Sequence, residues 1–287
     1  MEGAIYDFFM LKNLKFPHNS LDLTTPRVMG ILNVTPDSFF DGGKYISREK
    51  IIVQVEKMLK DGASIIDVGG YSTRPGAGDV PVQEELGRLI PAIKTIREHF
   101  PSAIISADTF RGAVAREAVA AGAGMINDVS GGTLDEKMLD AVAELNVPYV
   151  LMHTRGSPQT MKEMTDYKDV FAEVMNYFVH RINLAISKGV TQLIIDPGFG
   201  FAKTTEQNYI LLNRLSEFQK FGFPVLVGVS RKSMINKVLG TKAAEALNGT
   251  TVVNTIALMN GADILRVHDV REAMEAVKIV NFVKRGC

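Results

Sequence analysis

Short runs of apolar residues recur along the chain, separated by longer stretches in which apolar and polar residues alternate with a helical period. The runs are Val28–Leu32, Ser64–Val68, Ala103–Ala107, Gly124–Asn127, Pro148–Met152, Gln192–Ile195, Pro224–Gly228 and Asp263–Val267. Most are continuously apolar, as strands buried on both faces of a parallel sheet must be. After Ser47, a residue suited to capping a helix, Ile51, Ile52, Val55, Met58 and Leu59 mark one apolar helix face, and Gly62 closes it. Similar patterns cover 84–100, where Pro91 predicts a kink, then 112–121, 135–145, 167–188, 205–221, 232–260 and 271–284.

Eight strand–helix units over about 250 residues match an α/β fold of the (β/α)8 TIM-barrel type, with a doubly wound open sheet as the alternative. Residues 1–25 precede the repeat and read as a short N-terminal β-hairpin covering one end of the barrel. No linker, low-complexity tract or charge block divides the chain, so 1–287 is expected to be a single domain.

Barrels of this kind carry their chemistry at the C-terminal ends of the strands. The first strand is followed by Asn33-Val34-Thr35-Pro36-Asp37-Ser38-Phe39-Phe40-Asp41-Gly42-Gly43, and the second by a loop containing Gly69, Gly70, Ser72, Thr73, Arg74, Pro75 and Gly76. Asn33 could offer an amide oxygen to a hard cation or simply serve the turn. Arg74 offers a planar cation for phosphate or carboxylate, although a glycine-rich connection needs no ligand. Strands three, four and six end in Asp108, Asn127-Asp128 and Asp196. Each aspartate alone could cap the next helix, but three with an asparagine point to recognition of ligand N–H groups. Strand seven leads to Ser230-Arg231-Lys232-Ser233 and strand eight to Arg266-Val267-His268-Asp269, a cluster expected to hold an anion. His153, alone after strand five, reads as structural.

Composition adds exclusions. The 287 residues carry 32 Lys plus Arg against 32 Asp plus Glu, a formal net charge of zero. That balance argues against nucleic-acid and anionic-membrane partners, which need a basic excess. No apolar run approaches the ~20 residues of a membrane span. With one cysteine, Cys287, the chain has no intrachain disulfide, and Glu2 and Asp7 do not resemble a basic secretory leader, so the cytoplasm is the expected compartment. Phosphate-loop, zinc-protease and nucleophile-elbow motifs are absent.

Read together, the blocks Gly30–Phe39, Asp67-Val68-Gly69-Gly70, Ser72–Gly76, Ile126–Gly132, Asp196–Phe201, Ser230–Ser233 and Arg266–Asp269 closely resemble the dihydropteroate synthase family of pterin-binding enzymes. The match runs in order from about Val28 to the C-terminus. Tyr71, where many relatives have glutamate, and Gln207, where a His-Asn pair is usual, depart from the pattern.

The resemblance implies a transferase joining 6-hydroxymethyl-7,8-dihydropterin pyrophosphate to 4-aminobenzoate. By position, Asp108, Asn127, Asp196 and Lys232 would hold the pterin, with Lys232, Asp108 and Arg266 carrying the catalytic roles. Asn33 would bind Mg2+, with Thr73, Arg74, Arg266 and His268 around the pyrophosphate and Val267 among the substrate-binding residues. Phe201, Lys232 and Ser233 would border the 4-aminobenzoate subsite beside the loops carrying Phe39 and Arg74-Pro75, where sulfonamides would compete. A homodimer is also implied. A methyltetrahydrofolate methyltransferase, a Lys232 Schiff-base aldolase and an inert pterin-binding protein are the alternatives. The methyltransferase would not need this set of loop residues, the aldolase lacks an evident carbonyl-handling partner for Lys232, and the inert protein would not retain the charged loop residues.

Overall fold

All eight apolar runs form strands in the computed structural model, which describes residues 12–16, 19–35, 40–41, 45–71, 80–157 and 159–286. Strands β1 (Asn13–Lys15) and β2 (Ser20–Asp22) make an antiparallel hairpin, followed by β3 (Arg27–Asn33). A small antiparallel pair, β4 (Phe40–Asp41) and β5 (Tyr45–Ile46), precedes helix α1 (Arg48–Lys60). The alternation continues with β6 (Ile65–Gly69), α2 (Val82–His99), β7 (Ile104–Asp108), α3 (Gly112–Ala120), β8 (Met125–Asp128) and α4 (Met138–Leu145). It ends with β9 (Tyr149–Met152), α5 (Val170–Ser187), β10 (Leu193–Asp196), α6 (Thr205–Asn213), β11 (Leu226–Val227), α7 (Ser233–Leu239), α8 (Leu247–Met259), β12 (Ile264–Val267) and α9 (Val270–Arg285).

The eight long-connection strands pair in parallel in the order β10-β9-β8-β7-β6-β3-β12-β11. A parallel bridge between Ile195 and Val225 joins the two ends, so the sheet closes on itself. The barrel is the expected fold, and closure excludes the open-sheet alternative.

Two separate apolar layers explain why the strands read as continuous apolar runs. One set of positions, including Val28, Ile66, Ile105, Leu151, Ile195 and Leu265, packs outward against the helices. The alternate set, Met29, Ile65, Ile104, Met125, Val150, Ile194, Leu226 and Ile264, meets inside the barrel. Leu14, Leu21 and Leu23 from the hairpin segment join this inner cluster, so the hairpin plugs the floor. Inward positions nearer the C-terminal ends change character: Asp67 follows Ile65, Asn127 follows Met125, Asp196 follows Ile194 and Arg266 follows Ile264. Strand alternation thus stacks a polar mouth on an apolar floor.

Local expectations fare differently. Ser47 caps α1 by accepting from the Lys50 amide. Pro91 lies within α2, which runs unbroken from Val82 to His99. The expected helix over 205–221 is α6 followed by a 3-10 turn, Leu215–Phe221. The long 232–260 stretch divides into α7 and α8, because Gly240 adopts a left-handed φ of 67° that ends α7.

Candidate active site

Arg266 occupies the centre of the barrel mouth. Its Nε donates to Asp67 Oδ2 and its Nη2 to Asp108 Oδ2, each at 2.6 Å. Asn127 Nδ2 donates to the same Asp67 oxygen at 3.0 Å. Asp67 therefore works as the hub, although the sequence assigns it no role. It is fully buried, and its Oδ1 has no hydrogen-bond partner among the described residues.

Burial opposes the charge on Arg266, but the carboxylates of Asp67 and Asp108 outweigh it and raise its pKa above the usual arginine value. Burial pushes Asp108 up to about 7, a rise that Arg266 opposes and Asp67 reinforces. Asp196, also raised by burial, accepts at 2.8 Å from the Gly198 amide in a tight turn after β10.

Lys232 reaches this turn from the start of α7. Its Nζ donates to the Phe199 carbonyl and lies 4.5 Å from the centroid of the Phe201 ring. Burial lowers its pKa to about 8, with Asp196 opposing and Arg266 contributing to the fall. Gly200 permits the approach, since a Cβ there would sit 3.1 Å from Lys232 Cδ. Ser233, exposed, is the first residue of α7. His268 is exposed at the end of β12, where Ser230 Oγ lies 3.1 Å from its Nδ1.

The structure therefore gathers Asp108, Asn127, Asp196, Phe201, Lys232, Arg266 and His268 at one end of the barrel. Three expectations need correction. Asp128 is not part of the converging carboxylates: it accepts from the Ser130 amide and hydroxyl, the Gly132 amide and Tyr149 Oη, anchoring its own loop. Asp67 takes its place. Arg231 is absent from the anion cluster, because its left-handed φ of 56° directs it into a two-point pair with Asp269 and onto the Ala243 and Ala244 carbonyls. Val267 faces the helix layer, fully buried, since strand alternation turns it away from its inward neighbour Arg266.

Thr73, Arg74 and Phe39 lie outside the described residues. The two positions that depart from the family pattern are locally satisfied. Tyr71 packs edge-on against Phe110 at 5.1 Å and accepts from Gln159 Nε2, while Gln207 completes a capping box with Thr204 at the start of α6. His153 is buried beside Lys203 and Tyr177, as a structural histidine.

Asn33 is paired across the sheet with Gly69. A Cβ built on that glycine would lie 3.5 Å from Asn33 Oδ1 and 3.6 Å from Asp108 Oδ2, so both oxygens border one small space. No group of three or more His, Cys, Asp or Glu that could hold a metal occurs among the described residues. These donors suit a hard cation that takes most of its ligands from water and phosphate, as Mg2+ does.

Residues 29–268 match the pterin-binding enzyme family. A dihydropteroate synthase from Escherichia coli (strain K12) is 49% identical over 264 residues, covering 91% of this chain and 93% of that protein. The chain belongs to the dihydropteroate synthases. The Yersinia pestis dihydropteroate synthase in complex with a sulfonamide drug superposes with a TM-score of 0.89 at 41% identity, covering 95% of this chain and 99% of that one. The Xanthomonas albilineans dihydropteroate synthase with 4-aminobenzoic acid gives 0.88 at 43% identity, covering 95% and 98%. A structure from the same organism in complex with 7,8-dihydropteroate gives 0.85 at 40% identity, with the same coverage. Dihydropteroate synthases of this likeness carry the barrel, and the register of the family match places β3 and β12 at its two ends.

Proposed function

We propose that this enzyme condenses 6-hydroxymethyl-7,8-dihydropterin pyrophosphate with 4-aminobenzoate, giving 7,8-dihydropteroate and pyrophosphate. The observation that carries the reading is the mouth itself. Arg266 braces Asp67 and Asp108, and Asn127 donates to Asp67, on one side, with a lysine over an aromatic ring on the other, in a chain 49% identical to a dihydropteroate synthase.

Asp196, Asp108 and Asn127 accept from the amino and ring N–H donors of the pterin edge, and Lys232 donates to the pterin's acceptors. Arg266, held by two carboxylates, is a preorganised cation that meets the pyrophosphate without first reorienting. His268 adds a donor beside it, and Thr73 and Arg74 are assigned to the same group. The C–O bond to pyrophosphate breaks first, leaving a pterin-stabilised methylene cation that Asp108 faces. The amine nitrogen of 4-aminobenzoate then forms the C–N bond and releases its proton to solvent. No protein nucleophile is needed. Asn33 would hold Mg2+, which when bound neutralises charge on the departing pyrophosphate. Phe201, Lys232 and Ser233 border the 4-aminobenzoate subsite, where sulfonamides would compete.

Purified protein supplied with the pterin pyrophosphate, Mg2+ and labelled 4-aminobenzoate should form labelled dihydropteroate. Pterin binding without product would establish a binding protein instead. Because Asn33 offers a single neutral oxygen, calorimetry should find Mg2+ alone binding weakly and Mg2+ with pyrophosphate binding at least tenfold tighter, a gain that Asn33→Ala reduces. We further place the enzyme in the cytoplasm as a homodimer. Val238, Leu239, Val252, Ile256, Met259 and Phe282 project from α7, α8 and α9 with between 40% and 83% of their surface exposed, apolar side chains suited to packing against a second copy.

A further inference from the structure

The turn Gly198–Lys203 connects β10 to α6 and supplies both features that hold Lys232, the Phe199 carbonyl and the Phe201 ring. Its backbone is costly. Gly198, Gly200 and Ala202 all adopt left-handed φ values, of 71°, 80° and 48°, and the last is not a glycine. Such a turn keeps its shape only where its surroundings fix it.

Lys203 supplies that fixing from the inside. It is a lysine at 9% exposure, a position that lysines rarely occupy. Its Nζ donates to the Gly198 carbonyl at 2.9 Å and the Phe201 carbonyl at 3.0 Å, and lies 2.9 Å from His153 Nδ1. The His153 carbonyl, 3.4 Å from the same nitrogen, belongs to the neighbouring strand end. One amine thus ties the first part of the turn, its aromatic residue and the loop after β9 together. Burial pushes Lys203 well below the ordinary lysine range, and in either protonation state the nitrogen has hydrogens for both turn carbonyls. From the outside, Asn208 of α6 accepts from the Gly200 amide at 2.6 Å and donates to the Thr204 carbonyl at 2.6 Å.

We propose that Lys203 is a positioning residue for the amine-substrate subsite: through the Gly198 and Phe201 carbonyls and His153 it fixes the turn whose Phe199 carbonyl and Phe201 ring hold Lys232 in place. The residue touches neither substrate. Its effect is weighted toward the amine subsite because the turn itself carries the Phe201 ring, whereas Asp108 and Asn127 lie on β7 and β8 in a network joined through Asp67 and Arg266; Asp196 and Lys232, which also meet the pterin, pass on a smaller part of the loss.

The inference rests on the synthase reading, which wild-type turnover tests separately; only variant-to-wild-type ratios bear on Lys203. Lys203→Met should raise KM for 4-aminobenzoate tenfold or more, at least threefold further than it raises KM for the pterin pyrophosphate. Lys203→Cys can be made in a Cys287→Ser background, so that a single thiol is alkylated with 2-bromoethylamine in denaturant before refolding. The aminoethyl side chain restores the amine and should return most of the KM for 4-aminobenzoate. An unchanged KM, an equal rise for both substrates, or no recovery on aminoethylation overturns the proposal. Should Lys203→Met fail to fold, Asn208→Ala loosens the turn from its other side and must show the same preference for 4-aminobenzoate. A wild-type KM in that variant also overturns it.

Discussion

Burial acts in opposite directions on two of the groups that interact electrostatically with Arg266. It lifts the Asp108 carboxyl to about 7 and drops the Lys232 amine to about 8. A carboxylate at position 108 is therefore lost as pH falls through 7, and an ammonium at 232 is lost as pH rises through 8. If both charged forms are needed, kcat/KM for the pterin pyrophosphate should trace a narrow bell with limbs near those values, since this parameter reports the free enzyme. Lys232→Ala should remove most turnover and erase the alkaline limb from what remains. A steady-state pH series on both proteins measures this, and a flat profile between pH 6 and 9 would contradict the assignment of both groups. At this scale the sequence was informative about residue type and weaker about direction. Asp67 lies at inward parity between Ile65 and Gly69, a period-two signal that was available in the sequence. Asp128 lies at outward parity, one residue beyond inward Asn127. Lys203 left no trace, because nothing in the chain reveals that a lysine after a glycine-rich turn folds back beneath it.

At the scale of elements, the strands were legible because burial on both faces leaves little room for polar residues. Each of the eight runs matches its strand to within about two residues at either end. Helix interruptions were less legible. The left-handed Gly240 divides α7 from α8, and only its φ, not its presence, distinguishes a stop from a tolerated glycine. The hairpin β1–β2 was expected at one end of the barrel, and its Leu14 is fully buried in the floor cluster. Leu14→Ala should cost about 2–5 kcal/mol, the range for a buried leucine truncated in a close-packed site. Urea unfolding measures the loss, while both KM values should remain at wild type because the floor lies an entire residue layer below Asp67 and Asn127. A change in either KM would mean that the hairpin shapes the mouth.

At the scale of the molecule, a formal charge of zero conceals the pairing of Arg266 with two aspartates and of Arg231 with another. Charge totals cannot report such pairing; only the fold can. The exposed apolar side chains of α7–α9 are a second property that no composition figure reveals. Phe282 is 83% exposed near the C-terminal end of α9, where an isolated chain gains nothing from an aromatic ring. Phe282→Asp should convert a dimer to a monomer in sedimentation equilibrium at micromolar concentration and leave the strand-end site intact by kcat. A monomeric wild type would remove the dimer from the account. The plugged floor has a last consequence, which concerns traffic. A vessel with one opening is filled and emptied in sequence. With the floor closed by Leu14, Leu21 and Leu23, the expected outcome is ordered kinetics in which the pterin enters before 4-aminobenzoate, and product-inhibition patterns that show random order would contradict it.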